Sequence, residues 1–178
     1  MRLDAGGVAL RAIHPDDAAA VYALVDDSRE YLRAWLPWVD ASHSAVYTRE
    51  FFEHVVEQRE RQETAAYLIL GGGRIAGMIG LHDIDWTNRS FLIGYWVAER
   101  AQGRGLITRA CRALVRVAFE EWGMERAVIQ CGVGNRRSSA VARRLGFTLE
   151  GIARRAQLLH GEFIDLEVWS LVRPERLL

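Results

Sequence analysis

The turn Arg100-Ala101-Gln102-Gly103-Arg104-Gly105-Leu106 sits between a strand-like run, Phe91 to Val97, and an amphipathic stripe made by Leu106, Ile107, Ala110, Leu114, Val117 and Ala118. Glycines at that junction let backbone N–H groups approach a ligand, and the unpaired amides and positive end of the following helix make an anion site. Taken alone, the segment reads as an ordinary strand-to-helix turn as well. A dinucleotide fingerprint fits badly, because Thr108 stands where the third glycine belongs and no second strand with a ribose-binding acid follows at the expected distance. A P-loop is excluded outright. All 23 basic side chains are arginine and none is lysine, which also removes Schiff-base chemistry.

The elements around the turn follow from periodicity. Val8 to Ile13 reads as a strand, and Pro15-Asp16-Asp17 opens a helix continued by Ala18, Val21, Tyr22 and Val25 at helical spacing. Beyond an aromatic segment broken at Pro37, Thr48 is placed to cap a second helix with Phe51, Phe52, Val55 and Val56 on one face. The pattern then switches to strands. Tyr67 to Leu70, Gly71-Gly72-Gly73 and Ile75 to Leu81 form a hairpin, since consecutive glycines supply positive φ. A turn at Thr87 to Ser90 leads into Phe91 to Val97 and completes a meander. After the helix that Gly123 stops come a strand (Ala127 to Val133), a short helix (Ser138 to Leu145, ended by Gly146) and two strands (Phe147 to Gly151, Phe163 to Val172). The expected class is α+β, with residues 1–178 folding as a single domain. The prolines 15, 37 and 174 fall at element boundaries, and no repeat or linker divides the chain.

Composition narrows the setting. The 23 acidic side chains balance the arginines, which argues against bulk nucleic-acid binding. Cys111 and Cys131 have no C-x-x-C or histidine cluster beside them, so neither a disulfide framework nor a metal site is expected. The residues from Met1 to Gly7 do not resemble a signal peptide and no run is long enough to span a membrane, so a cytoplasmic protein is expected.

The residues of the turn, in this order of elements, resemble the GNAT superfamily of N-acetyltransferases. Arg100, Gly103 and Gly105 match its pyrophosphate-binding signature. Ile93 to Val97, Gln102 to Gly105, Asn135-Arg136-Arg137-Ser138, Leu145 to Gly151 and the Leu36-Pro37-Trp38 region are similar to the ribosomal-protein (Rim-type) branch. The resemblance covers nearly the whole chain. It implies a GNAT fold, in which a mixed, mostly antiparallel central sheet flanked by helices splays between strands four and five, around Trp96 and Cys131.

It also implies a direct acetyl transfer from acetyl-CoA to a primary amine, without a metal. Backbone groups of Tyr95, Trp96 and Val97 would meet the pantetheine arm and thioester carbonyl. The amides of Ala101, Gln102, Gly103, Arg104, Gly105 and Leu106 would cradle the pyrophosphate, and Asn135 would contact pantetheine. Ser138 would protonate the leaving thiolate. Read locally, Asn135 and Ser138 are also a loop residue and an N-cap. Arg136, Arg137, Arg143 and Arg144 either reach the 3′-phosphate of CoA or form a solvated helix face. Trp35, Trp38 and Trp86 either line the acceptor slot or belong to the core.

The base departs from the branch pattern. Gln157 stands where the Rim branch commonly has glutamate, and a carboxamide accepts no proton usefully at neutral pH. The candidates are His82, Glu150, His160 and Asp165, with His82 or a water chain preferred as relay. The expected acceptor is the N-terminal α-amine of a protein such as a ribosomal protein. A small amine, an aminoacyl compound or an antibiotic is the alternative, and a CoA-binding regulatory module without catalysis is the reading from another class. Monomer and homodimer are both open.

Overall fold

A computed structural model describes residues 2–4 and 6–173; Pro174, like Met1 and Ala5 of the N-terminal stretch, lies outside them. Eight strands form one sheet in the order β1-β2-β3-β4-β5-β6-β8-β7. They are β1 (Arg2–Asp4), β2 (Val8–Ala12), β3 (Ala65–Gly71), β4 (Arg74–Asp85), β5 (Ser90–Val97), β6 (Arg126–Gly132), β7 (Thr148–Leu159) and β8 (Glu162–Val172). The helices are α1 (Ala18–Asp26), α2 (Arg29–Arg33), α3 (Ala45–Glu60), α4 (Leu106–Glu120) and α5 (Arg136–Arg144). β3 is buried on both faces, which is why it reads as an unbroken apolar run. Tyr67 and Ile69 pack on the α4 side, while Ala66 and Leu68 pack toward α1 and α3.

Every neighbouring pair is antiparallel except β5 and β6, which are parallel. Their pairing covers only Ser90, Phe91 and Leu92 against Arg126, Ala127 and Val128, although β5 runs on to Val97 and β6 to Gly132. The sheet therefore opens toward the C-terminal ends of these two strands. This is the expected splay between strands four and five, moved up one in number because β1, unexpected from the sequence, adds a strand ahead of it.

Three other expectations are corrected. Ser44, not Thr48, caps α3: its Oγ accepts from the Tyr47 amide, and Thr48 lies within the first turn and donates to the Ser44 carbonyl. The extended Ser44 backbone starts the helix four residues earlier than the apolar pattern suggests. Phe51 is half exposed and does not share the buried face of Phe52 and Val55. β7 is far longer than Phe147 to Gly151, because His160 and Gly161 take positive φ and close a long hairpin with β8. Breaks in register at Leu149/Gly151 and Ala153/Gln157 absorb the extra residues.

Candidate active site

The opening between β5 and β6 is the inner end of a cavity of about 1110 Å³. Its walls bring together Tyr95, Trp96 and Val97 of β5, the turn from Ala101 to Leu106, Asn135 and Ser138 at the head of α5, and His82 and Gln157. Residues as far apart in sequence as His82 and Gln157 thus meet in one space. β5 is paired with β4 from Leu92 through Val97 on one edge. Its other edge loses β6 after Leu92, so main-chain groups there face the cavity.

The turn before α4 is built to receive an anion. Gly103 and Gly105 hold φ of +72° and +66°, and no side chain caps the helix. The first-turn amides of this 15-residue helix are accordingly unpaired by any cap and carry the positive end of the macrodipole. Arg109 folds back on the turn, with Nη2 donating to the Arg104 carbonyl at 2.9 Å, and its Nε and the Gln102 Nε2 are buried without a partner. Arg104, Arg109, Arg112, Arg137 and Arg144 line the cavity, and among the described lining residues there is no aspartate or glutamate. Arg100 lies outside the wall and pairs with Asp27 at 2.9 Å. The arginine cluster of α5 therefore divides: Arg137 and Arg144 reach the cavity, whereas Arg143 lies over the Trp169 ring.

At the inner end, the Tyr95 hydroxyl and Ser138 Oγ are 2.8 Å apart. Burial pushes the Tyr95 phenol above its ordinary range, so it stays neutral. Ser138 is fixed from behind by its own amide, which donates to Asn135 Oδ1 at 3.2 Å. Asn135 is thus the cap of α5, and Ser138 lies in that helix's first turn rather than capping it. Beneath them, Glu167 accepts from Ser139 Oγ and from Trp169 Nε1 at 2.8 Å, and the Cys131 thiol lies 3.8 Å away.

The outer wall is the aromatic segment between α2 and α3. Trp35 and Trp38 line the cavity, and Trp38 lies 6.0 Å from Trp96. Arg29 fastens this segment by donating to the Val39 and Ser42 carbonyls, both at 2.7 Å. Trp35 crosses Gly132 so closely that a Cβ there would lie 3.1 Å from its ring, so any larger residue at the end of β6 would press the ring outward. Trp86 belongs elsewhere: its Nε1 donates to the Gln62 carbonyl and it does not line the cavity.

Among the proton acceptors suggested by sequence, only His82 faces this space. It is half exposed on β4, with Nδ1 3.2 Å from Asp83, and Gly94, diagonally across on β5, leaves room for its ring. Glu150 is removed by geometry. It pairs through both oxygens with Arg126 at 2.6 Å and accepts from Ser170, which lowers its pKa to about 2. His160 bonds the Arg33 carbonyl and Asp40, pinning the hairpin tip to the aromatic segment. Asp165 accepts from the Arg155 amide in the β7 irregularity. Gln157 does face the cavity, and its Nε2 donates to the Trp35 carbonyl at 3.5 Å. Cys131 stands at the splay, where the resemblance set it, whereas the Tyr95–Ser138 pair was not anticipated; alternation along β5 was the available signal.

These features are shared with known proteins. Residues 8–148 match the family model described as an acetyltransferase (GNAT) domain. YdaF of Bacillus subtilis (strain 168), provisionally named a ribosomal N-acetyltransferase, is 37% identical over 94% of this chain and 92% of its own length. The structure of RimL, the ribosomal L7/L12 α-N-protein acetyltransferase, in complex with CoA superimposes with a TM-score of 0.93 at 29% identity, covering 97% of this chain and 98% of that one. Its CoA is joined by a disulfide to one of that protein's own cysteines. The microcin C7 self-immunity acetyltransferase MccE, solved with acetyl-CoA and AMP, gives 0.90 at 28% identity, covering 94% and 93%. With the splayed parallel pair, the uncapped glycine turn and these matches together, the chain belongs to the GNAT acetyltransferase family and is an N-acetyltransferase.

Proposed function

We propose that this enzyme transfers acetyl from acetyl-CoA to the N-terminal α-amine of a protein, a ribosomal protein being the class its relatives indicate. The observation that carries the reading is the Tyr95–Ser138 hydroxyl pair at the inner end of a cavity that runs from an uncapped helix N-terminus to an aromatic slot. The anion site suits the pyrophosphate, and the arginines on the rim suit the remaining phosphate.

The reaction follows from what each part must do. The neutral amine attacks the thioester carbon and a C–N bond forms. The oxyanion is met by main-chain groups along Tyr95 to Val97, where β5 has no partner on its open edge. The C–S bond then breaks, and the CoA thiolate takes a proton from Ser138, whose oxygen the Tyr95 hydroxyl supports. The amine proton passes to His82 or to water, since Gln157 cannot take it.

The lining favours an α-amine on a neutral or acidic body over a polyamine, because no carboxylate among the described lining residues would hold a second cation. An aminoacyl compound is the competing acceptor, supported by the AMP bound in MccE and by the aromatic wall. Thiol release from acetyl-CoA, followed with Ser- and Ala-starting peptides, aminoacyl nucleotides and spermidine, separates these. Peptides are expected to turn over and spermidine is not; CoA binding with no turnover on any acceptor would instead support a regulatory role. Replacing His82 by alanine is expected to remove the acid limb of the pH–rate profile, where a protonated base can no longer take the amine proton, and an unchanged limb and rate would leave water as the acceptor.

A further inference from the structure

The chain has two cysteines, both free, and they occupy different environments. Cys111 is fully buried within α4 and takes no part in the cavity wall. Cys131 lines the cavity on β6, beyond the last residue that pairs with β5. Its Sγ lies 3.7 Å from Ser139 Oγ and 3.8 Å from Glu167 Oε2, and Ser138 also faces it. The acetyl-CoA reading puts the CoA sulfur at Ser138, which makes Cys131 the thiol beside that sulfur. RimL, whose fold superimposes so closely, was crystallised with its CoA joined to a cysteine of its own.

We propose that Cys131 is a redox-sensitive site within the CoA cleft. There it exchanges with a CoA-containing disulfide and holds CoA covalently, switching the enzyme off until a thiol reductant releases it. The exchange balances without a further oxidant. The Cys131 thiol gives up its proton to solvent, its sulfur attacks the nearer sulfur of CoA–S–S–CoA and that S–S bond breaks. A Cys131–S–S–CoA bond forms, and the displaced CoA thiolate takes up a proton. Burial raises the thiol's pKa and slows attack on disulfides in bulk solvent. A disulfide carried by the nucleotide site itself arrives at high effective concentration.

The proposal rests on the acetyl-CoA reading and is tested on the full chain with CoA disulfide as probe. Intact-mass analysis without reductant is expected to show one adduct with the mass of CoA less two hydrogens, mapping to Cys131. Dithiothreitol should release it, and saturating acetyl-CoA should block its formation. Activity should fall with the modified fraction and return on reduction. Glutathione disulfide, which lacks the nucleotide, should react at least about ten-fold more slowly. Cys111→Ala should still form the adduct and Cys131→Ala should not. Whatever activity Cys131→Ala retains should be indifferent to CoA disulfide. No adduct on a chain that turns over acetyl-CoA would overturn the switch and leave the function standing, as would equal rates with both disulfides or an adduct on Cys111. Absence of acetyl-CoA binding would bring down both.

Discussion

Replacing Ser138 by alanine separates chemistry from scaffolding. The change removes the proposed donor to the thiolate and also leaves the Tyr95 hydroxyl, 2.8 Å away, without its partner. Loss of a positioned general acid slows turnover by about 10²–10⁴-fold, which is about 3–5 kcal/mol in the barrier. The stability loss is smaller, about 1–3 kcal/mol for a desolvated phenol left unpaired. Tyr95→Phe gives the complement: the Ser138 hydroxyl survives, so the stability loss is about 1 kcal/mol and turnover falls less than in Ser138→Ala. In the double variant the stability losses should not add, because both polar partners are gone together. The assay is saturating-substrate thiol release, with urea unfolding of the same preparations. A Ser138→Ala enzyme that stays folded and keeps more than a tenth of the wild-type kcat would refute Ser138 as the thiolate's proton donor.

Other consequences reach different parts of the molecule. In Gly77→Ala the new Cβ would collide with the Trp96 carbonyl and lie 2.7 Å from the Val97 Cα, forcing β4 from β5; a loss of about 3 kcal/mol or more and weaker acetyl-CoA binding are expected by denaturation and calorimetry. Gly105→Ala must hold φ near +66° with its Cβ 3.1 Å from Arg109 Nη1, so the KM for acetyl-CoA should rise with a stability cost of about 1–2 kcal/mol. Glu150 in the folded state has its pKa lowered from 4.5 to about 2, so its contribution is present above pH 4.5 and is lost as pH falls toward 2. Because Arg126 and Glu150 are 33% and 40% exposed, Glu150→Gln should cost only about 1 kcal/mol at neutral pH. It should flatten the acid limb of Tm against pH and leave kcat unchanged.

What could be read in the chain and what could not divide along a physical line. The hairpin at Gly71 to Gly73, the α4 stripe and the glycine turn depend on neighbours in sequence, and each stands where periodicity and positive φ require. The start of α3 is ambiguous in sequence because Ser44 and Thr48 are both competent caps, and only the extended backbone of Ser44 decides between them. The length of β7 depends on pairing with β8 through two irregularities that leave no local pattern. In the site, the wall residues of the turn and of α5 are legible as motifs. The contact between Tyr95 and Ser138 joins β5 to α5 across the opening of the sheet, and the place in the cavity wall that separates Cys131 from the equally buried Cys111 is likewise set by tertiary packing. Glu150 reads as a candidate base in sequence because its partner Arg126 lies on another strand.

The most direct test is mass-spectrometric analysis of peptide products after incubation with acetyl-CoA, with Ser- and Ala-starting ribosomal-protein peptides beside the same peptides blocked at the α-amine. Acetyl is expected on the α-amine of the unblocked peptides, in step with thiol release and absent from the blocked ones. Thiol release confined to aminoacyl nucleotides or small amines, with every peptide left unmodified, would contradict the proposed acceptor.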